Sequence, residues 1–274
     1  MAATAILFPG QGSQTPDMRD AVVAHAPELI DEVVAAVGED PFSRVGDGTM
    51  YAQPAIFCAS LAGWRALGSP RGDFMAGHSL GELAALVAAG ALAQNDGLEL
   101  VVLRGRLMQA AGEGGMIALL GPGAADQAQA LAEGHGLAVA NDNSPQQVVL
   151  SGERRALPPA VAAAKELGLR AMELPVTGAF HSPMMEAAVP EFRAALDRVD
   201  FGEPGVPVFS AVTTEPFDDV RGRLAQALTS PVRWRETMLA LNAQGAERFV
   251  EVGPGRVLTG LAKRTLRDVE LVHG

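Results

Sequence analysis

A chain of 274 residues with 48% hydrophobic content, one cysteine and a formal net charge of -11 can bury a sizeable core without disulfides, which excludes a small stapled scaffold. Its apolar residues come in short blocks broken by Gly, Pro and charge, so none crosses a bilayer, and the acidic balance without a basic cluster argues against nucleic-acid binding. Lys165 and Lys263 are the only lysines, so anion recognition falls to arginine forks and not to point charges.

The stretch from Met1 to Phe8 lacks a basic flank and runs into Pro9 and Gly10, which predicts a buried strand over Thr4 to Phe8 and not a signal peptide. A cytoplasmic location is the expectation. The turn-rich segment Pro9 to Gln14 follows, then an amphipathic helix from about Asp17 to Val37, and a second helix after Gln53 and Pro54. Cys58, in the apolar stretch Ala55 to Leu61, reads as a small core residue. Asp73 to Ala76 makes a short strand running into Gly77-His78-Ser79-Leu80-Gly81 and the Ala-rich helix Glu82 to Ala89. A helix over Asn95 to Ala111 ends at Gly112, Gly114 and Gly115.

From Met116 the pattern changes to strand, a helix at Ala124 to Glu133, strands near Leu137 to Asn141 and Gln147 to Leu150, a helix at Arg155 to Leu167, and a strand from Arg170. This β-α-β-β-α-β order is the ferredoxin-like split unit. After it come a helix over Pro183 to Val199, a strand at Val206 to Ser210, two helices, the strand Arg248 to Val252 and a last helix after Gly253-Pro254-Gly255. The predicted architecture is α/β: a discontinuous α/β-hydrolase-like large domain with a parallel sheet (1–114 and 179–274), interrupted by a ferredoxin-like small subdomain (115–178).

Gly77-His78-Ser79-Leu80-Gly81 fits the nucleophile elbow G-x-S-x-G, which needs small flanking residues because the serine sits in a strained strand-to-helix turn; an ordinary helix N-cap serine is the plainer alternative. A serine hydroxyl needs a base within hydrogen-bond reach. His25, His135 and His273 lie in surface-type or terminal segments, and the elbow turns His78 away from its neighbour, leaving His181 in Gly178-Ala179-Phe180-His181-Ser182-Pro183. Spacing alone does not separate that role from a structural histidine at a helix start.

Taken together, Phe8 to Gln14, Gly77 to Glu82, Arg104-Gly105-Arg106-Leu107-Met108-Gln109, Asn143-Ser144-Pro145, Phe180-His181-Ser182, Ser230 to Trp234 and Glu251 to Leu258 resemble the malonyl-CoA:acyl-carrier-protein transacylase family, which includes polyketide synthase acyltransferase domains. The motifs run in family order over essentially the whole chain. The resemblance implies ping-pong transfer of malonyl from malonyl-CoA to the phosphopantetheine thiol of an acyl carrier protein, through an ester on Ser79 with His181 as base. It implies an oxyanion hole from the Gln11 and Leu80 N–H groups, and a backbone carbonyl, assigned to Arg233, that orients His181 in place of an acid. It also implies Arg104 as the fork for the free malonyl carboxylate, although Arg106 is two residues away and equally available by spacing. Met108, Phe180 and Asn143 complete the expected substrate site, and Phe180 with Leu80 favours malonyl over methylmalonyl.

Gly178-Ala179 departs from the residues often found before the Phe-His pair. No prosthetic cofactor and no metal is implied, since Gly10-Gln11-Gly12 lacks the rest of a dinucleotide fingerprint. An acidic carrier would dock on a local arginine patch, with Arg154, Arg155 and Lys263-Arg264-Arg267 as candidates. The oligomeric state stays open, a monomer included. Other readings are a serine thioesterase or hydrolase using the same elbow, the malonyl transferase component of a malonate decarboxylase, and an idle carrier-docking module.

Overall fold

In the computed structural model, which describes residues 2–274, the first apolar stretch is β1 (Ala3–Phe8), the central strand of a five-stranded sheet. Its alternation explains that place: Ile6 and Phe8 enter one apolar cluster and Ala5 and Leu7 another, so both faces are buried, as a parallel sheet requires. The sheet also holds β2 (Phe74–Gly77), β7 (Val208–Phe209), β8 (Ala246–Glu251) and β9 (Glu270–His273), in the order β7-β2-β1-β8-β9, all parallel. Helices α1 (Met18–His25), α2 (Glu28–Val37), α3 (Thr49–Ala66), α4 (Gly81–Ala88) and α5 (Gln94–Ala110) come from the first half of the chain. The second half adds α8 (Val189–Leu196), α9 (Val220–Gln226), α10 (Trp234–Ala243) and α11 (Val257–Thr265).

Between α5 and α8 lie β3 (Gly115–Leu120), α6 (Ala124–His135), β4 (Ala138–Ser144), β5 (Gln147–Gly152), α7 (Leu157–Glu166) and β6 (Arg170–Glu173). Their antiparallel sheet runs β4-β5-β3-β6, with the first and third strands of the unit central. Period-two alternation again sorts the side chains. Ile117, Leu119, Val148 and Leu150 pack in a local core with residues of α6 and α7, whereas Met116, Ala118 and Val149 join the main core. The small sheet therefore turns one face to its own helices and the other to the large sheet. Its β4 edge is met by the segment before α10: Asn141 bridges Val232 in parallel, Val232 N–H donates to Ala140 O (2.9 Å) and Asp142 N–H donates to Val232 O (2.9 Å). Arg235 of α10 forks onto the Asp142 carboxylate beside it (2.7 to 3.0 Å).

Local differences from the predicted elements have physical causes. The helix expected over Asp17 to Val37 is two, because Pro27 forces Ala26 out of helical geometry (φ -154°, ψ 54°). Helix α3 starts at Thr49 and passes through Pro54, where the flanking side chains are all buried and tertiary packing outweighs one missing intrahelical bond. The helix expected over Pro183 to Val199 is a 3-10 turn (Pro183–Ala188) followed by α8, with Pro190 in the first turn of α8. Strand β9 has no counterpart among the predicted elements. Among the described residues, no helix is long and apolar enough to cross a membrane.

Candidate active site

Ser79 stands between β2 and α4 at φ +55°, a left-handed conformation that a non-glycine residue adopts only under local constraint. The glycines around it are spatial requirements. A Cβ on Gly77 would lie 2.0 Å from the Gly81 carbonyl carbon, and one on Gly81 would lie 2.2 Å from Phe8 O. A Cβ on Gly10 would lie 2.5 Å from His78 O, so the loop after β1 rests directly on the elbow.

His181 also has positive φ (+57°) and is 4% exposed. Its Nδ1–H donates to the Ala227 carbonyl (2.8 Å), and because a carbonyl only accepts, this bond fixes the tautomer and leaves the Nε2 lone pair facing the Ser79 hydroxyl (2.8 Å). The orienting carbonyl is thus that of Ala227 and not of Arg233. Arg233 caps the N-terminus of α10, where its carbonyl accepts from Thr237 N–H and Thr237 Oγ1–H (both 2.9 Å) and is occupied. Ala227 follows the last residue of α9, where carbonyls have no intrahelical donor.

Arg104 is 3% exposed, whereas Arg106 is exposed, which resolves the choice that spacing left open. Arg104 Nη2–H donates to Ser79 Oγ (3.1 Å) and Nη1–H to Gln53 Oε1 (2.6 Å). Gln53 Nε2–H in turn donates to Thr49 Oγ1 (2.9 Å), and Thr49 Oγ1–H to Gln11 Oε1 (2.8 Å). Burial lowers the Arg104 guanidinium to about 10, opposed by the charge of Glu82. Burial first, and then the Arg104 charge, bring His181 down to about 3, so its imidazole is neutral, with the Nε2 lone pair unprotonated, throughout the neutral range.

Glu82, 2% exposed in the first turn of α4, accepts the Ala211 N–H (2.8 Å), and burial raises its carboxyl to about 7. His78 does turn away from the serine: its Nε2–H donates to Asn143 Oδ1 (2.8 Å), its ring meets Trp234 edge-on (5.4 Å between centroids), and burial lowers its pKa.

A cleft of about 750 Å³ opens onto these groups. Gln11, Ser79, Leu80, Arg104, Met108, Asn143, Phe180 and His181 all line it, as do Gln147 and Val149 of the small sheet, Arg264 of α11 and Arg256, which caps the start of that helix. Among the described residues neither the Gln11 N–H nor the Leu80 N–H donates to a protein acceptor. Phe180 is 6% exposed and folds back over Gly178, where a Cβ would lie 2.3 Å from its ring; that contact accounts for glycine at this departure from the family pattern. His25, His135 and His273 lie outside the cleft lining.

Chemically, the arrangement is a hydroxyl on a neutral imidazole, a cleft that Gln11 and Leu80 line with N–H groups that have no protein acceptor among the described residues, and a buried cation within hydrogen-bond distance of the same oxygen. Sequence reasoning missed Thr49, Gln53, Glu82 and the Ala227 carbonyl. For the two helix residues the available signal was the spacing of Thr49 and Gln53 on one face of α3; a backbone carbonyl leaves no residue-type signal.

Residues 6–273 match the family model described as acyl transferase domain. The polyketide biosynthesis protein ThaF of Burkholderia thailandensis is 42% identical over 96% of this chain, which spans 24% of that protein's length. The malonyl CoA-acyl carrier protein transacylase of Salmonella typhimurium is 40% identical, over 96% of this chain and 93% of that protein. Among solved structures, an acyl-carrier-protein-S-malonyltransferase from Bartonella henselae is similar with a TM-score of 0.90 at 37% identity, over 99% of this chain and 95% of that one.

Proposed function

The chain belongs to the acyl transferase domain family, and from that membership we propose that it is a malonyl-CoA:acyl-carrier-protein S-malonyltransferase serving fatty-acid or polyketide synthesis. The observation that carries the acyl specificity is the buried Arg104 guanidinium 3.1 Å from Ser79 Oγ. A lipase-like hydrolase would line that space with apolar groups; a buried cation beside the nucleophile suits an acyl group that carries its own carboxylate.

In the first half-reaction Ser79 Oγ attacks the thioester carbonyl while its proton passes to His181 Nε2, and the oxyanion is met by the Gln11 and Leu80 N–H groups. Collapse breaks the C–S bond, and the proton on His181 goes to the departing CoA sulfur. In the second half, His181 takes the proton of the carrier's pantetheine thiol, the sulfur attacks the Ser79 ester, and the proton returns to Ser79. Arg104 holds the malonyl carboxylate throughout, and Phe180 and Met108 enclose the α-carbon. Asn143 keeps its Oδ1 on His78 and offers its amide N–H groups to the cleft. Malonyl-CoA is a substrate here, and the cytoplasm, where CoA thioesters are made, is the matching location.

Two sheets that share no strand pairing support the division into 1–114 with 179–274 and 115–178. For the carrier, α11 is the better docking candidate. Arg256 and Arg264 line the cleft, and Lys263 is exposed, whereas Arg154 is bonded to Glu173 and the Gly114 carbonyl and Arg155 to Glu153.

The test is intact-protein mass after brief incubation with malonyl-CoA, acetyl-CoA or methylmalonyl-CoA. A malonyl adduct on wild type, absent from Ser79→Ala and no longer preferred over acetyl in Arg104→Ala, is the expected result. Free CoA accumulating without an adduct points to the hydrolase.

A further inference from the structure

We propose that Thr49 is a positioning residue: its hydroxyl anchors the loop that carries the Gln11 N–H, through Gln53, on the buried Arg104, so that one oriented hydrogen-bond chain sets the oxyanion site. The inference rests on the roles given above to Ser79, Gln11 and Arg104.

The direction of the chain follows from chemistry at each link. A guanidinium can only donate, so Arg104 Nη1 (2.6 Å) requires the Gln53 oxygen and turns the Gln53 amide nitrogen the other way. That nitrogen can only donate, so Thr49 Oγ1 must accept it (2.9 Å), and the remaining Thr49 O–H is committed to Gln11 Oε1 (2.8 Å). Only a hydroxyl can accept on one side and donate on the other within so small a volume. Burial makes each link compulsory: Thr49 is 3% exposed, Gln53 1% and Arg104 3%, so an unmade bond leaves a desolvated polar group.

The helices supply the register. Thr49 and Gln53 are four residues apart on α3, Arg104 and Met108 four apart on α5, and Gln53 reaches both members of the second pair, with its Nε2 also 3.4 Å from Met108 Sδ. At the far end the Gln11 loop is otherwise pinned from inside, where Ser13 Oγ–H donates to Gly10 O (2.7 Å) and Gly10 lies against the elbow. Gly12 has φ +105°, a conformation with little intrinsic hold on its neighbours. Gly12 N–H donates to Gln14 Oε1 (2.8 Å) within the loop itself, and the Thr49 bond is what ties Gln11 to α3.

The test compares wild type, Thr49→Val and Thr49→Ser by the rate at which a fluorophosphonate modifies Ser79, and by acylation from malonyl-CoA and acetyl-CoA. The fluorophosphonate has no carboxylate. Its phosphorus bonds Ser79 Oγ as fluoride leaves and the serine proton passes to His181, with the phosphoryl oxygen in the oxyanion site. Thr49→Val keeps the shape and removes the hydroxyl, and is expected to slow phosphonylation and both acylations by a common factor of about tenfold or more, since a whole oxyanion donor is worth roughly 10²- to 10³-fold. The KM for malonyl-CoA should stay within about twofold, and Thr49→Ser should restore all three rates.

Gln11→Met, which removes the side-chain acceptor and keeps the backbone N–H, gives the same loss, not additive with Thr49→Val, and serves if Thr49→Val does not fold. Unchanged rates per folded active site overturn the proposal; so does a loss confined to malonyl, which would place the effect of Thr49 on Arg104 alone. Wild type that reacts with the fluorophosphonate but takes no malonyl would refute the malonyl reading and leave the Thr49 comparison intact.

Discussion

Ser79 Oγ–H donates to His181 Nε2 and its oxygen accepts an N–H hydrogen bond from Arg104, so the same arginine acts on both partners of the dyad. Its charge is the second cause, after burial, of the depressed His181 pKa. A lowered imidazole pKa keeps the base unprotonated as the pH falls, so with acetyl-CoA, which brings no charge of its own, the acid limb of kcat/KM should lie well below the ordinary 6.5. Arg104→Ala removes a neighbouring cation, which should move that limb upward toward 6.5 while malonyl turnover falls roughly 10- to 100-fold, the worth of a charge-assisted pair. A pH profile of Arg104→Ala superimposable on wild type would contradict the coupling. This scale also marks how far the sequence could be read. Ser79 and His181 carry residue-type signals; Arg104 and Arg106 differ only in which side of a helix they occupy, and burial alone tells them apart. The carbonyl that orients His181 is expected at Arg233 and found at Ala227, because every residue has a carbonyl and only the end of α9 distinguishes this one.

Among the elements, α4 is the one whose first turn couples the nucleophile to the rest of the site. Glu82 lies one turn after Ser79 and reaches the Ala211 N–H, and Ala211 O accepts from Arg233 N–H (2.8 Å), so the elbow is tied to the segment that leads into α10. Burial raises the Glu82 carboxyl from 4.5 to about 7; the Ala211 N–H and the Arg104 charge facing it from α5 only partly oppose this. The unfolded chain releases this proton near 4.5 while the folded chain keeps it to about 7, so folding loses stability as pH rises across that window. Glu82→Gln keeps an acceptor for Ala211 and removes the titration. Its stability relative to wild type, measured by urea unfolding, should therefore improve by up to about 3 kcal/mol between pH 4.5 and 7.5; an offset independent of pH would show that Glu82 is ionised throughout. Elements with strong periodicity, such as β1, α5 and the β-α-β-β-α-β run, were readable from the sequence. The break at Pro27, the start of α3 at Thr49 and strand β9 were not, because proline can end a helix or sit within one depending on packing, and four residues at a sheet edge carry little pattern.

For the molecule as a whole, the two sheets are joined by the shared main core, in which Met116, Ala118 and Val149 of the small sheet meet side chains of the large one. Beyond that packing, the Arg235 fork on Asp142 and the His78 bond to Asn143 cross between them. The Asp142–Arg235 pair is partly solvated, so Asp142→Asn should cost only about 1 kcal/mol. Thermal unfolding should remain a single transition, lower by roughly 2 to 4 °C. Two resolved transitions would mean that the core contact does not couple the sheets. The strand order of the small sheet follows from the ferredoxin-like reading, but that of the large sheet was beyond the sequence, since pairing partners are set by distant segments; Val232, from the far end of the chain, lying along β4 is another such contact. That contact bears on any attempt to transplant the inserted unit. Cut out alone, residues 115–178 would leave the N–H and C=O groups along β4 without Val232, an open strand edge that invites a second copy to stack against it. An acceptor scaffold for this unit would therefore have to supply a substitute strand as well as two splice points.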